Sequence, residues 1–311
     1  MRFIRFRACP VLRPSIRTPA SIRLIGGFRM PGRTCAASPP GSPAGCPLSS
    51  SSFFRGLMPL WFKKKHRTLL RTGGHSDIGL VRSENQDAYG CFPEGASDAP
   101  PERLFIVADG MGGHTGGRQA SRLAVATIPA VFFAHPGLPP EDRLRRAFLD
   151  ANARVYGQSR ALDERTRPGT TCTALALSGG LLYTAHVGDS RAYRIREGRI
   201  DLLTTDHTLV EQLRRDGLLT PEEAQRHPRR NVLNRALGVH ETIDVDVDGI
   251  GPPASDDRYL LCTDGLATLS EDELLEIVSS LPPQEACERL TALANERGGR
   301  DNATAVVVHF F

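Results

Sequence analysis

The chain has 311 residues, 40% hydrophobic and 24% charged, with a formal net charge of +4. This is ordinary globular composition, which excludes a collagen-like, disulfide-knotted or wholly disordered protein. No uninterrupted run of about 18 apolar residues occurs, so no membrane span is expected.

The charge is unevenly placed. Residues 1–76 hold 14 of the 39 Lys and Arg and no acid, while the rest sets 25 basic against 35 acidic side chains. An acidic body argues against nucleic acid as the main partner. The seven cysteines (Cys9, Cys35, Cys46, Cys91, Cys172, Cys262 and Cys287) form no CxxC pair and are odd in number. That usage fits a reducing compartment.

Residues 1–65 read as a basic, low-complexity, disordered segment. Arg, Ser, Pro and Gly dominate, and no helical or strand period persists. Three readings stay open: a mis-called start with Met30 or Met58 as the true one, a targeting peptide, or a basic tail for an acidic surface. Trp61-Phe62-Lys63-Lys64-Lys65 could touch an anionic membrane only weakly.

From about residue 70 regular elements follow. Leu104–Ala108 reads as a buried strand, Gly113–Gly117 as a glycine-rich loop and Ala120–Phe133 as a helix. Pro139-Pro140-Glu141-Asp142 opens a second helix, with Leu144, Phe148, Ala151 and Val155 on one face. Thr171–Leu177, Leu181–Val187, Arg191–Arg196 and Ile200–Leu203 are joined by tight Gly turns and predict an antiparallel meander. Residues 206–238 are polar, Arg-rich and helical in short pieces, an excursion from the sheet. In it, Thr220-Pro221-Glu222-Glu223 is a capping box. Strands return at Ile243–Val247 and Tyr259–Cys262. Ser270 with Glu273 caps one helix, Pro282-Pro283 opens another, and Ala303–Phe310 is a last strand. Runs of strands interrupted by helix pairs predict an α+β fold.

Four patterns place an aspartate at a strand end. Leu104–Ala108 runs into Asp109-Gly110, Leu181–Val187 into Gly188-Asp189-Ser190, and Tyr259–Thr263 into Asp264-Gly265; Asp301-Asn302 precedes the last strand. Asp87 follows Arg82 nearby. Each alone is ordinary turn chemistry. As a set, they would converge if the sheet edges coincide. Converging carboxylates repel unless cations neutralise them. Oxygen-only donors suit Mg²⁺ or Mn²⁺, and no His/Cys grouping has zinc spacing. Two such ions activate water at neutral pH, and an arginine clamps a tetrahedral oxyanion. The chemistry indicated is phosphate ester hydrolysis.

At these residues the chain resembles the metal-dependent protein phosphatases of the PP2C (PPM) family, in its bacterial form. The motifs run in order: Ser76-Asp77-Ile78-Gly79-Leu80-Val81-Arg82, Asn85-Gln86-Asp87, Val107-Ala108-Asp109-Gly110-Met111-Gly112-Gly113-His114, Gly169-Thr170-Thr171, Val187-Gly188-Asp189-Ser190-Arg191, Thr263-Asp264-Gly265 and Asp301-Asn302-Ala303-Thr304. The resemblance implies a phosphatase domain over 70–311, folded as two packed antiparallel sheets flanked by helix pairs, with a flap-like insertion at about 206–238.

It also implies hydrolysis of phosphoserine and phosphothreonine with Mn²⁺ or Mg²⁺, by attack of a metal-bridged hydroxide in a single in-line step. Asp109 would bridge two metals and the Gly110 carbonyl would hold one. Asp264 and Asp301 would hold the other, with Asp87 close by. Asp189 with Asp264 would form a weaker third site. Arg82 would bind the substrate phosphate. Gln86 and Met111 depart from parts of the family, and His114 is a weak candidate for the general acid. Thr170 and Thr171 read as strand-packing residues. Ser190 reads as a turn residue, since no Ser–His–Asp order accompanies it.

The expected setting is a cytoplasmic monomer acting on phosphoproteins and opposing a Ser/Thr kinase. The rival readings are a catalytically dead binding module and a phosphatase dedicated to one regulatory partner.

Overall fold

Residues 69–93, 102–112, 116–159 and 167–311 are described by a computed structural model. The readings of residues 1–65, Gly113 and His114 lie outside the described residues.

The alternation of side chains along β3 (Glu102–Met111) sets the layering. Leu104, Ile106 and Ala108 face outward, under helices α1 (Gly116–Ala134) and α2 (Pro140–Ser159). Phe105 and Val107 face inward, against a second sheet. The first sheet has the order β2 (Asp87–Phe92), β3, β5 (Cys172–Ser178), β6 (Leu181–Val187), β9 (Asp246–Gly251), with the two-residue β4 (Gly169–Thr170) paired to the end of β3. The second runs β1 (Leu70–Asp77), β11 (Ala303–Phe310), β10 (Arg258–Cys262), β7 (Arg191–Arg196), β8 (Arg199–Leu202). Every pairing is antiparallel.

The inner faces meet through Phe105, Leu175, Leu182, Tyr259, Leu261, Val306, Val308 and Phe310. Helices α5 (Glu271–Ser280) and α6 (Pro283–Glu296) cover the outer face of the second sheet, where Leu274, Val278 and Leu290 pack on Leu260, Ala305 and Val307. Each such large side chain contributes roughly 1.5–3 kcal/mol through burial. The expected αββα sandwich is therefore the fold that forms.

Three local expectations are corrected. The run from Thr171 to Leu203 is not one meander. β5 pairs with β6, and β7 with β8, but β6 and β7 lie in different sheets. The turn Gly188-Asp189-Ser190 is a corner between layers, and Gly188 takes φ 113°, which a side chain resists. The strand predicted at Ile243–Val247 begins at Asp246 and continues to Gly251. Finally, β1 and β2 form where no strand was expected. β1 carries Gly73-Gly74, which weakens any strand signal. A Cβ at Gly73 would lie 2.3 Å from the Gln284 backbone nitrogen, so glycine there lets α6 lie against the sheet.

The excursion at 206–238 leaves after β8 in one sheet and returns before β9 in the other. It contains two short helices, α3 (Leu209–Arg215) and α4 (Pro221–Arg226), the second opened by the Thr220/Glu223 capping box. Ser270 and Glu273 form the same device on α5. Among the described residues no helix is long and apolar enough to cross a membrane.

Candidate metal centre and active site

The alternation that builds the inner core continues past it. After Phe105 and Val107, the next inward position on β3 is Asp109. It is paired in register with Asp87 on β2. On the facing sheet, Tyr259 and Leu261 are followed inward by Thr263, and Phe310, Val308 and Val306 are preceded by Thr304. Two carboxylates from one sheet thus meet two hydroxyls from the other at one end of the gap. Thr263 Oγ1 and Thr304 Oγ1 both donate to Asp87 Oδ2, at 2.8 and 2.6 Å.

Asp264 starts a single 3-10 turn directly after β10. A Cβ on its neighbour Gly265 would lie 1.9 Å from the Asn302 carbonyl oxygen, so only glycine lets that turn touch the 301–302 segment. Asp189 enters from the inter-sheet corner. A groove of about 550 Å³ is lined by Arg82, Asp109, Gly110, Met111, Asp189, Asp264 and Asp301. All seven residues expected to act together are therefore near one another: six line this groove, and Asp87 lies behind it against Asp109.

The electrostatics are those of an uncompensated acidic cluster. Burial, then repulsion from Asp87, Asp264 and Asp189, pushes the Asp109 carboxyl far above its ordinary range. Burial lifts Asp87 to about 7 against the pull of its two hydroxyl donors. Burial, then Asp264 and Asp206, lift Asp189 to about 7. Asp264 is raised by burial and by Asp301, and it shares a hydrogen bond with Asp109. Asp87 Oδ1 and Asp264 Oδ1 are buried with no hydrogen-bond partner. Two guanidiniums flank the cluster without filling it: Arg82 Nη2 donates to Asp301 Oδ2 at 2.6 Å at the rim, with its side chain 55% exposed, and Arg191, beside Asp189, is tied to Asp206.

Among the described residues no three His, Cys, Asp or Glu side chains already stand as a finished metal cage. The donor set nevertheless fits hard divalent cations. It consists of oxygen atoms alone, includes orphaned buried carboxylate oxygens, and carries more negative charge than burial tolerates without counter-charge.

A supporting layer of side chains holds these residues in place. Asn302 Oδ1 accepts from the Gln86 backbone N–H at 2.8 Å, and its amide donates to the Ile78 and Glu84 carbonyls at 2.9 and 3.0 Å. One side chain thereby fastens the loop that carries Arg82. The only sequence signal was its place beside Asp301. Thr171 Oγ1 accepts from the Asp109 N–H at 2.9 Å, and Thr170 Oγ1 donates to the Asp109 carbonyl at 2.9 Å. Both threonines are packing residues that also clamp Asp109. Ser190 is fully buried and bonded to Thr171 at 2.6 Å.

A two-sheet sandwich flanked by helix pairs, with acidic side chains gathered at one end of the inter-sheet gap, is the architecture of a metal-dependent phosphatase. The family profile described as "Protein phosphatase 2C" matches residues 81–302. The chain belongs to the protein phosphatase 2C family.

The serine/threonine protein phosphatase PstP of Mycobacterium tuberculosis is 38% identical over 243 residues, which is 77% of this chain and 45% of that protein. The chain thus spans under half the length of this relative. The serine/threonine phosphatase stp of Listeria monocytogenes is 35% identical over 239 residues, 75% of this chain and 93% of that protein. A crystal structure of the M. tuberculosis phosphatase PstP/Ppp superposes with a TM-score of 0.68 at 37% identity, covering 77% of this chain and 98% of that one. A structure of the PstP catalytic domain in complex with two manganese ions gives 0.67 at 34% identity, covering 78% and 99%.

Proposed function

We propose that the chain is a Mn²⁺- or Mg²⁺-dependent phosphatase that hydrolyses phosphoserine and phosphothreonine in proteins. The observation that carries this is buried Asp87 beside half-buried Asp109 and Asp264, with one buried oxygen of Asp87 and one of Asp264 left without partners. Asp109, Asp264 and Asp301 would hold two ions, with Gly110 contributing a backbone oxygen and Asp87 supporting Asp109. Asp189 with Asp264 would form a weaker third site. Bound cations supply Lewis acidity and water activation at neutral pH.

The chain's own residues do the rest. Arg82, exposed at the rim, offers its paired N–H groups to the phosphate oxygens once Asp301 turns to a cation. Thr263 and Thr304 fix the Asp87 carboxylate, and Thr170 and Thr171 fix the Asp109 backbone.

Direct attack by water, with no phosphoenzyme, is favoured by the nucleophiles at hand. Ser190 is fully buried. Cys262 has its thiol pushed up to about 12 by burial, so it carries no thiolate. Cys91, Cys172, Cys262 and Cys287 are free thiols, which supports a reducing, cytoplasmic setting. We read the partners as phosphoproteins and a Ser/Thr kinase whose signal the chain reverses, and the chain as a monomer.

The test is phosphate release from a phosphothreonine peptide and from p-nitrophenyl phosphate under Mn²⁺, Mg²⁺ and Ca²⁺ titration. Manganese-dependent turnover is expected in the wild type. Asp264→Asn should lose activity by about 10³-fold or more while staying folded, since it removes charge where two ions are held. Near-normal turnover in that variant would refute the metal assignment.

A further inference from the structure

The corner that carries Asp189 has no strand partner, because it passes from one sheet to the other. Its Ser190 end is held by Thr173, whose hydroxyl donates to the Ser190 carbonyl at 2.8 Å, and by Thr171. Its Gly188 end is held by His207. The His207 backbone N–H donates to the Gly188 carbonyl at 2.7 Å, and the Gly188 N–H donates back to His207 Nδ1 at 3.1 Å. Both polar backbone groups of Gly188 are therefore occupied by His207. That assigns the tautomer: Nδ1 is the acceptor and Nε2 carries the hydrogen, which it donates to Asp246 Oδ2 at 3.1 Å.

The far side of the ring leads to the excursion. Arg235, on its returning limb, donates to the other Asp246 oxygen at 2.8 Å. The Asn234 N–H donates to the His207 carbonyl at 2.9 Å, and Thr208 bridges Leu233. The outgoing and returning limbs of residues 206–238 are thus pinned at His207. The ring cannot swing away. It is 4% exposed and packs 4.7 Å from His186, which Thr173 and the Thr205 carbonyl fix in turn.

We propose that His207 is a positioning residue that locks the root of the 206–238 excursion to the Gly188–Asp189 turn, and so sets the place of the Asp189 carboxylate and the strength of the third cation site. This rests on the reading of the carboxylate cluster as a metal centre. Asn231 and Leu233 of this excursion line the acidic groove, so a segment that borders the site cannot shift its root without moving Asp189. Residues that orient a metal ligand without touching the metal typically cost 10–100-fold in affinity when lost.

The test uses the metal-depleted full chain and two substitutions that split the ring's contacts. In His207→Asn the amide oxygen replaces Nδ1 and can keep the Gly188 bond. In His207→Gln the amide nitrogen replaces Nε2 and can keep only the Asp246 bond. Mn²⁺ titration by calorimetry should show a tight class and a weaker class of sites in the wild type. His207→Gln should weaken the weak class about tenfold and leave the tight class within about twofold, whereas His207→Asn should restore the weak class to within about threefold. In an Asp189→Asn background, His207→Gln should add nothing further.

Amide exchange of the peptide spanning Val187–Arg191 gives a readout independent of metal: faster in His207→Gln, near wild type in His207→Asn. Equal effects of the two substitutions, on both classes of site, would reduce His207 to a structural residue and overturn the proposal. So would an unchanged weak class in His207→Gln. Absence of any Mn²⁺ binding in the wild type would overturn the metal-centre reading instead, and the exchange data would still decide whether His207 holds the turn. Should neither His207 variant fold, Asp246→Asn, which loosens the same ring from the far side, is read in the same two assays; no change in either would overturn the proposal.

Discussion

Asp87 shows how one side chain can be prepared for a role it does not perform alone. Its Oδ2 takes two threonine hydroxyls from the opposite sheet, and its Oδ1 has none. The carboxylate is therefore fixed in orientation with one oxygen to spare. Thr304→Val keeps the volume and the β-branched strand preference but removes the 2.6 Å donor. We expect Mn²⁺ affinity to fall by about tenfold, with little change in secondary structure. A chelator competition titration checks this; an unchanged affinity would show that Thr263 alone holds Asp87.

Legibility at this scale was uneven. Asp109, Asp264 and Asp301 stood out because each borders a hydrophobic run. Asn302, Thr263 and Thr304 lie in the same motifs but carry no assigned role, because a polar residue at a strand end shows its use only once its partner, some 40 to 220 residues away in sequence, is known.

At the scale of elements, helix α1 and strand β3 meet through two glycines. A Cβ on Gly117 would lie 2.7 Å from the Gly110 carbonyl and 2.6 Å from Gln86 Oε1. Gly117→Ala sets two effects against each other. Alanine favours the helix by about 0.8–1 kcal/mol. Overpacking against backbone costs about 1–3 kcal/mol. The second wins, because the Gly110 carbonyl belongs to the strand and cannot rotate away as a side chain would. A lowered melting temperature by a few degrees is expected; an equal or higher one would mean that the helix start can shift.

The caps were readable in advance, since Ser270/Glu273 and Thr220/Glu223 act within four residues. The expected meander fails between β6 and β7 for the converse reason. A short glycine turn looks the same whether it closes a hairpin or turns a corner, and only the sheet to which β7 belongs decides which.

For the whole molecule, the acidic cluster links metal binding to pH. Asp87 and Asp189 are lifted to about 7, and Asp109 and Asp264 are also raised, so without cations the folded chain holds protons there that the unfolded chain would release. The sign follows: a carboxyl with a raised folded pKa contributes stability at low pH that is lost as pH climbs through the folded value. Cations displace those protons and remove the loss. The rise in melting temperature on adding a fixed Mn²⁺ concentration should therefore grow between about pH 4 and 7 and level off above.

Groups far from the site do not blur the comparison. Glu102, hydrogen-bonded by Arg143, and Asp77, hydrogen-bonded by Asn295, are shifted down, the opposite direction to the site carboxyls, and their contribution is the same with and without metal. The buried His186, depressed to about 3 first by desolvation, contributes with the opposite sign to these carboxyls but equally with and without metal, and so cancels in the difference. Scanning calorimetry across pH checks this. A gain independent of pH would remove these carboxylates from the metal site.

In the sequence by itself, period-two alternation, local capping and short motifs suffice for the class of fold, the starts of α2, α4, α5 and α6 and the acids at strand ends; α1 begins at Gly116, inside the expected glycine loop. The tertiary structure alone decided that β6 and β7 part company and that Thr263 and Thr304 answer Asp87. It also decided that Asn302 ties down the Arg82 loop and that His207 holds the Asp189 corner. Each of these is a contact between segments distant in the chain, whose geometry exists only once two twisted sheets have packed and brought their ends together.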